Sequence, residues 1–430
     1  MSPWWKGRPS LALLGAYAPL GMPLAFGALP VYLLLPHLYA TQYGMSLALL
    51  GVLLLALRLL DAILDPLIGH WSDRWAEGHG HRLRLIVAGL PGMALGFYLL
   101  FHPLASFSLG VSLAFSLLIF YGFYSLTSLN YQALGAELSQ DYNGRTWLTT
   151  SREAGALLGV LLAAALPQWL VQQLGAHRGM QIFALIFAVL LVLAFLPLGL
   201  STRTRCPVQG QAQSLWTFYH PLRRPALRRL LTVYTLSQMG NAIAATLFYF
   251  FVDEILGAKD LAPLFLLVYF LSGAMGMPFW LALSSRFGKS RAWQAAMLLS
   301  LLAFLGAFLL RAGDDWWYGI ICVVTGLTLG ADQALPPSIL ADQTDQDPHA
   351  RAGNYFGLFN WVAKAATALG AGIILPILQW LGFRPGQEPL LLLMAYALVP
   401  ALVKLLAVLL MEFGAIETRS PSTIVKGVTP

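Results

Sequence analysis

The chain alternates long apolar stretches with short polar joints. Twelve stretches stand out, at roughly 10–36, 44–69, 83–102, 107–136, 147–173, 179–200, 227–252, 261–283, 291–311, 316–340, 352–380 and 388–411, each near the length of about 20 residues that crosses a bilayer. Single long runs predict helices, because a helix satisfies its own backbone in lipid. Barrel strands would be about 10 residues long with strict apolar–polar alternation, and no such alternation runs through this chain. The pattern therefore predicts an all-α integral membrane protein of twelve transmembrane helices. The first stretch begins near Leu11, carries Pro19, Pro23 and Pro30, and lacks a cleavage-type end, so it reads as a retained first helix.

The longest polar segment, "STRTRCPVQGQAQSLWTFYHPLRRPA" (201–226), divides the helices into six and six. Elements on its two sides correspond. The fourth span exits with "ALGAELSQDYNGR" (133–145) and the tenth with "SILADQTDQDPHAR" (338–351). "GHWSDRW" after the second has a worn counterpart in "ALSSRFGKSR" after the eighth. Similarity six helices apart predicts two parallel halves related by an axis along the membrane normal. The expected organisation is an N-terminal six-helix bundle (1–200), a cytoplasmic linker (201–226), a C-terminal six-helix bundle (227–412) and a flexible cytoplasmic tail (413–430). This is the major facilitator plan, with a central cavity between the bundles.

Composition excludes a soluble protein. The chain is 58% hydrophobic and 10% charged, whereas an ordinary soluble domain is about a quarter charged. Of its 26 Lys and Arg, nineteen fall on the side that holds both termini. Four (Arg178, Lys259, Arg311 and Arg384) fall on the other, and three lie inside spans. This asymmetry places both termini in the cytoplasm, in a plasma membrane of bacterial inner-membrane type. The net charge of +7 then reports topology and predicts no nucleic-acid partner. Cys206 falls in the linker and Cys322 in a span, so no disulfide framework is expected. No metal-ligand spacing, G-x-S-x-G or phosphate-cradling loop occurs, and the expectation is a non-enzyme without a cofactor. Its partners would be a small-molecule substrate and membrane lipid, and it would be a monomer.

One stretch breaks the avoidance of charge. "RLLDAILDPLIGHWSDR" (58–74) puts Arg58, Asp61 and Asp65 near one face of the second span, with Gly69 continuing the stripe and Pro66 a candidate kink. A charge at the bilayer centre costs about 2.5–3.5 kcal/mol on insertion scales. Arg58 balances one acid and leaves a net negative charge, which predicts a site for protons or a metal cation. Lys364 lies deep in the eleventh span with no acid within a turn, so it is expected either to lose its proton or to pair across helices. Lys404 in the twelfth is nearer an end, and snorkelling to the interface is the expectation there. Asp73-Arg74, Glu137-Asp141-Arg145 and Asp342-Asp345-Arg351 stand at cytoplasmic helix ends and read as structural ion pairs between the bundles.

These residues resemble the glycoside–pentoside–hexuronide:cation symporters, the family of melibiose permease, within the major facilitator superfamily. The resemblance rests on the second-span motif of two Asp four apart, the second followed by Pro, then Gly, then a cytoplasmic Asp-Arg. It also rests on "ADQTDQ…ARAGNYFGLFNWVAK" leading to Lys364 and on "YSLTSLNYQALGAELSQDYNGRTWLTTSREAG" across the fourth and fifth spans. It implies a secondary active symporter of a small organic solute, sugar- or glycoside-like, driven by H+ or Na+. By that similarity Asp61, Asp65 and Ser125 hold the cation, Arg58 and Lys364 couple it to substrate, and Arg152 and Tyr124 lie at the substrate.

The chain departs from the sugar-transporting pattern at four places. Leu64 stands where the family's sodium site has an Asn, which favours a proton. Leu20 and Ser128 replace two sugar-gripping Asp, and Gln132 replaces a Trp. The polar set left for the cavity is Ser128, Asn130, Gln132, Arg152, Gln238, Asn241, Gln333 and Asn360, with Asp332 a further candidate. Two alternatives remain open: a transporter of an amphipathic lipid such as a lysophospholipid, and a passive facilitator in which the acid pair is scaffolding.

Overall fold

The structure is a computed structural model that describes residues 9–79, 82–138, 142–201, 220–346, 352–387 and 389–412. It is built of helices, and no strand occurs among the described residues. Twelve long helices follow in order: α1 Leu11–Thr41, with a tight 3-10 turn at Ala18–Leu20; α2 Leu47–His79; α3 Leu83–Phe101; α4 Leu109–Glu137; α5 Tyr142–Leu174; α6 Ala176–Ser201; α7 Pro225–Phe250; α8 Ala262–Phe287; α9 Lys289–Ala307; α10 Asp315–Asp345; α11 Ala352–Trp380; and α12 Pro389–Glu412. Eleven contain spans long and apolar enough to cross a membrane. The exception is α7, which has the length but carries Arg228, Arg229, Gln238 and Asn241. The candidate tail 413–430 and most of the candidate linker, 202–219 with Cys206, lie outside the described residues.

The second helix departs from expectation. Its apolar run ends at 69, yet α2 continues to His79 and passes Pro66 without a break. The polar residues after 69 have left the hydrocarbon but still favour a helix. At 1.5 Å per residue, 33 residues make a rod of about 50 Å, well beyond a hydrocarbon core of about 30 Å.

The chain separates into two compact units. The first holds α1–α6 together with Ala258–Phe270 and Leu375–Pro385; the second holds α7, Leu271–Ile374 and the segment with α12. In the first unit a ring cluster of Phe26, Phe97, Phe120, Phe183 and Phe187 binds four helices, with Phe97 and Phe187 centroids 4.3 Å apart. Lipid tails are as apolar as these side chains, so such cores gain from packing contacts more than from leaving the solvent. Close approach is what packing requires. A Cβ at Gly96 of α3 would stand 2.6 Å from the Phe120 nitrogen of α4, so only glycine admits that contact. At one end of this unit the Ala48 N–H of α2 donates to Gln379 Oε1 at 2.6 Å, and Gln172 Nε2 donates to Asp260 Oδ1 at 2.9 Å. The second unit packs around Trp293, Tyr234, Trp280, Leu335, Tyr355 and Phe359.

Candidate functional site

The charged face of α2 sits in the first unit. Asp61 is 4% exposed and Ser125 on α4 is 1% exposed. The Ser125 hydroxyl donates to Asp61 Oδ1 at 2.7 Å. One turn before Asp61, the Arg58 guanidinium lies over the Tyr121 ring, 4.6 Å from its centroid. It is within electrostatic reach of Asp61, Tyr32 and Tyr124. A guanidinium over a ring gains a cation–π attraction and remains a counter-charge for the acid. Asp65 follows Asp61 by one turn and is partly buried. The helical spacing thus brings Arg58, Asp61 and Asp65 to one stretch of α2, and α4 supplies the hydroxyl.

Tyr124 links this cluster to a second. Its ring lies near Phe120, and it feels the charges of Arg58 and Asp61 and also those of Arg152 and Glu153. Arg152 on α5 pairs with its neighbour Glu153, Nη2 to Oε1 at 2.6 Å, and stands beside Tyr17 and Tyr131. Those tyrosines tie α1 to α4 reciprocally: Tyr17 OH donates to the Tyr131 carbonyl at 3.1 Å, and Tyr131 OH to the Tyr17 carbonyl at 2.6 Å. A Cβ on Gly21 would meet the Arg152 carbonyl at 2.5 Å, so the glycine lets α1 approach α5 at this point. Ser128 is partly buried and Gln132 is exposed.

Asn130 is placed differently from a cavity wall. It has no exposed area. Its Nδ2 donates to the Leu126 carbonyl at 2.8 Å, and its Oδ1 takes a long bond of 3.4 Å from Arg82 Nη1. Arg82 in turn pairs with Glu137 at 2.6 Å, both nearly buried. The amide therefore joins a helix-to-helix tie. Glu137 pairs inside its own unit, and so does Asp342, which meets Lys289 at 2.5 Å. Arg351 and the side chains of Asp73, Asp141, Arg145 and Asp345 lie outside the described set.

In the second unit Lys364 is partly buried on α11, while Gln333 on α10 and Asn360 on α11 are exposed. Lys404 corrects the snorkelling expectation. It is 0% exposed, and its Nζ donates to Asp332 Oδ2 at 2.8 Å and to Ser237 Oγ at 3.0 Å. A carboxylate two helices away in sequence holds the ammonium more firmly than a distant interface does. Asp332 also accepts from Ser237 Oγ at 2.9 Å, Trp293 Nε1 at 2.7 Å and Asn241 Nδ2 at 2.8 Å. Asn241 Nδ2 further donates to Gln238 Oε1 at 3.1 Å, and Gln238 Nε2 to Tyr234 OH at 2.9 Å. The sequence marks Asp332 and the amides one by one, without joining them. The roles of Ser237 and Trp293, and of Tyr17, Tyr32, Tyr121 and Tyr131 in the first unit, went unread. Their only signal was a polar atom or phenol inside an apolar helix. No group of three or more metal-ligating side chains occurs among the described residues.

Comparison with known proteins fits a transporter. The family described as MFS/sugar transport protein matches residues 14–418. The sodium-dependent lysophosphatidylcholine symporter 1 of Xenopus tropicalis is 25% identical over 417 residues, covering 84% of this chain and 78% of that protein. The uncharacterized symporter YnaJ of Bacillus subtilis is 23% identical over 94% of this chain and 91% of its own length. The raffinose carrier protein of Pediococcus pentosaceus is 23% identical over 73% of this chain and 52% of that protein. Among solved structures, the nucleoside transporter NupG superposes with a TM-score of 0.70 at 15% identity, over 94% of this chain and 100% of that one. A bacterial homolog of the lysosomal transporter Spinster gives 0.63 at 15% identity, over 93% and 94%. The fold is that of the major facilitator transporters, and the protein is a multi-pass membrane transporter. With a match that spans nearly its whole length, the chain belongs to the MFS/sugar transport protein family.

Proposed function

We propose that the protein is a cation-coupled symporter of a small polar solute, with the acid pair of α2 as the cation site. The observation that carries this reading is the buried Asp61 carboxylate, held by the Ser125 hydroxyl and flanked by the Arg58 guanidinium. Asp61 and Asp65 set two carboxylates one helical turn apart at membrane depth, where like charges repel, and a cation or proton bound between them relieves that repulsion. Ser125 donates its hydrogen to Asp61, and the same oxygen keeps lone pairs that suit a hard cation. Leu64 adds no oxygen, which tilts the reading toward a proton. Tyr124, in electrostatic reach of both the Arg58–Asp61 cluster and the Arg152–Glu153 pair, supplies the coupling. A solute resting on Tyr124, Ser128, Gln132 and Arg152 senses the charge state of Asp61. Lys364, Gln333 and Asn360 are the second unit's contributions to the same cycle. The relative named for sodium-dependent lysophosphatidylcholine symport gives the second reading its support: Arg152 could hold a phosphate as readily as a carboxylate.

The test compares the wild type with Asp61→Asn and Asp65→Asn, purified into nanodiscs. Proton release on sodium addition, abolished in both variants, marks a shared Na+/H+ site. No release with sodium, but pH-dependent binding of a polar solute that the variants lose, marks a proton symporter. Variants that bind and transport as the wild type does leave the acid pair as scaffolding and sink the proposal.

A further inference from the structure

The polar network of the second unit has one open end. Asn241 sits midway along α7, and both hydrogens of its Nδ2 are taken, by Asp332 Oδ2 and Gln238 Oε1. Its orientation is forced. Turning the amide over would set its carbonyl oxygen against the Asp332 carboxylate, an acceptor facing an acceptor. Asn241 Oδ1 therefore points away from the network. It takes no hydrogen bond from any described residue, and the Asn241 side chain is only partly buried. A carbonyl oxygen at mid-span facing hydrocarbon would forgo a hydrogen bond at a cost, so polar side chains at that depth face the bundle interior or a water-filled path.

The rest of the network acts as a brace. Gln238 is fixed through Tyr234, whose ring stacks on Phe359 with centroids 4.2 Å apart. Asp332 is fixed by Trp293, Ser237 and Lys404. Lys404 balances the carboxylate, so the brace adds no net charge beside the path. We propose that Asn241 Oδ1 is a substrate-binding acceptor for a hydroxyl or N–H of the transported solute, and that Asp332 and Lys404 are the positioning residues that keep it turned outward. This deepens, and rests on, the reading of a polar-solute symporter. It favours a solute with several hydrogen-bond donors over lysophosphatidylcholine, whose phosphocholine offers none and whose glycerol offers a single hydroxyl.

Two measurements test it. The first is uptake of raffinose, glucuronate and uridine, with lysophosphatidylcholine as the contrasting probe, in proteoliposomes of wild type, Asn241→Ala and Asp332→Asn. In both variants the KM of the hydroxylated probe that the wild type carries rises about tenfold at similar maximal rate, the size of one lost hydrogen bond. The sodium or pH response of the Asp61 site persists. An unchanged KM in Asn241→Ala overturns the proposal and leaves the symporter reading standing. So does a wild type that carries lysophosphatidylcholine and none of the three polar probes. Loss of the cation response in the wild type itself would strike the symporter reading instead. The second measurement needs no solute. Asn241→Cys, in a chain carrying Cys206→Ser and Cys322→Ala, is labelled by a membrane-impermeant thiol reagent if the position faces water. Failure to label, in protein shown to be folded by its melting curve, overturns the proposal.

Discussion

Lys404 illustrates what a buried charge requires of its neighbours. Four donors meet Asp332, and one of them is the ammonium that makes the pair neutral. Lys404→Met removes the counter-charge and leaves a buried carboxylate, which costs about 3–5 kcal/mol where such a pair is broken from one side. The expected outcome is a clear fall in the melting temperature followed by tryptophan fluorescence, with most of the loss recovered in Lys404→Met/Asp332→Leu, where no charge remains to be compensated. A melting temperature unchanged in the single variant would mean that Asp332 is not charged in the folded protein. This pair was not legible beforehand. Lys404 and Asp332 lie 72 positions apart in the chain, and nothing local to either marks the other. The Arg58–Asp61–Asp65 face was legible because its partners share one helix, where a spacing of three and four fixes proximity. Ser125 came from family resemblance, and its 2.7 Å bond to Asp61 is the geometric reason such a position carries a hydroxyl. Asn130 misled because an amide in a span looks the same in sequence whether it lines a path or ties two helices.

At the scale of elements, the positions of the twelve helices could be read because lipid demands an apolar run of fixed length. Their ends were less clear where a helix outlives its apolar run, as α2 does by ten residues. The end of α7 is informative in another way. After Phe250 the helix widens into a π-turn, Phe251–Ile255, which carries Asp253 and Glu254. Glu254 Oε2 accepts from the Gly386 N–H at 3.0 Å. Burial raises its carboxyl above the ordinary value, the Gly386 bond opposes that rise, and the nearby Asp253 charge adds to it. An acid whose folded-state pKa is raised contributes stability that is fully present below the unfolded value and is lost as pH rises through the folded one. Melting temperatures measured from pH 4 upward should therefore show a component that declines as pH rises past the ordinary carboxylate range, and Glu254→Gln should remove that component. A profile with the same slope in the variant would assign the decline to other groups.

For the whole molecule, the distribution of Lys and Arg predicts an orientation that a fusion experiment can read. Alkaline phosphatase joined after Gly175 or Arg384 should be active outside the cytoplasm, and a fluorescent protein joined after Pro430 should fold inside it. The reverse pattern would invert the topology and with it the direction in which the Asp61 site faces each medium.

The length of α2 has a mechanical consequence. A continuous rod of about 50 Å with Asp61 near its middle can act as a lever about its charged mid-span section. Tilting such a rod by about ten degrees displaces each tip by about 4 Å, by the same rise per residue. The Ala48–Gln379 hydrogen bond at one tip, 2.6 Å long, would not survive that travel. A tilt that followed neutralisation of one carboxylate at mid-span would therefore open a hydrogen bond half a membrane away, with no relay of side chains between them.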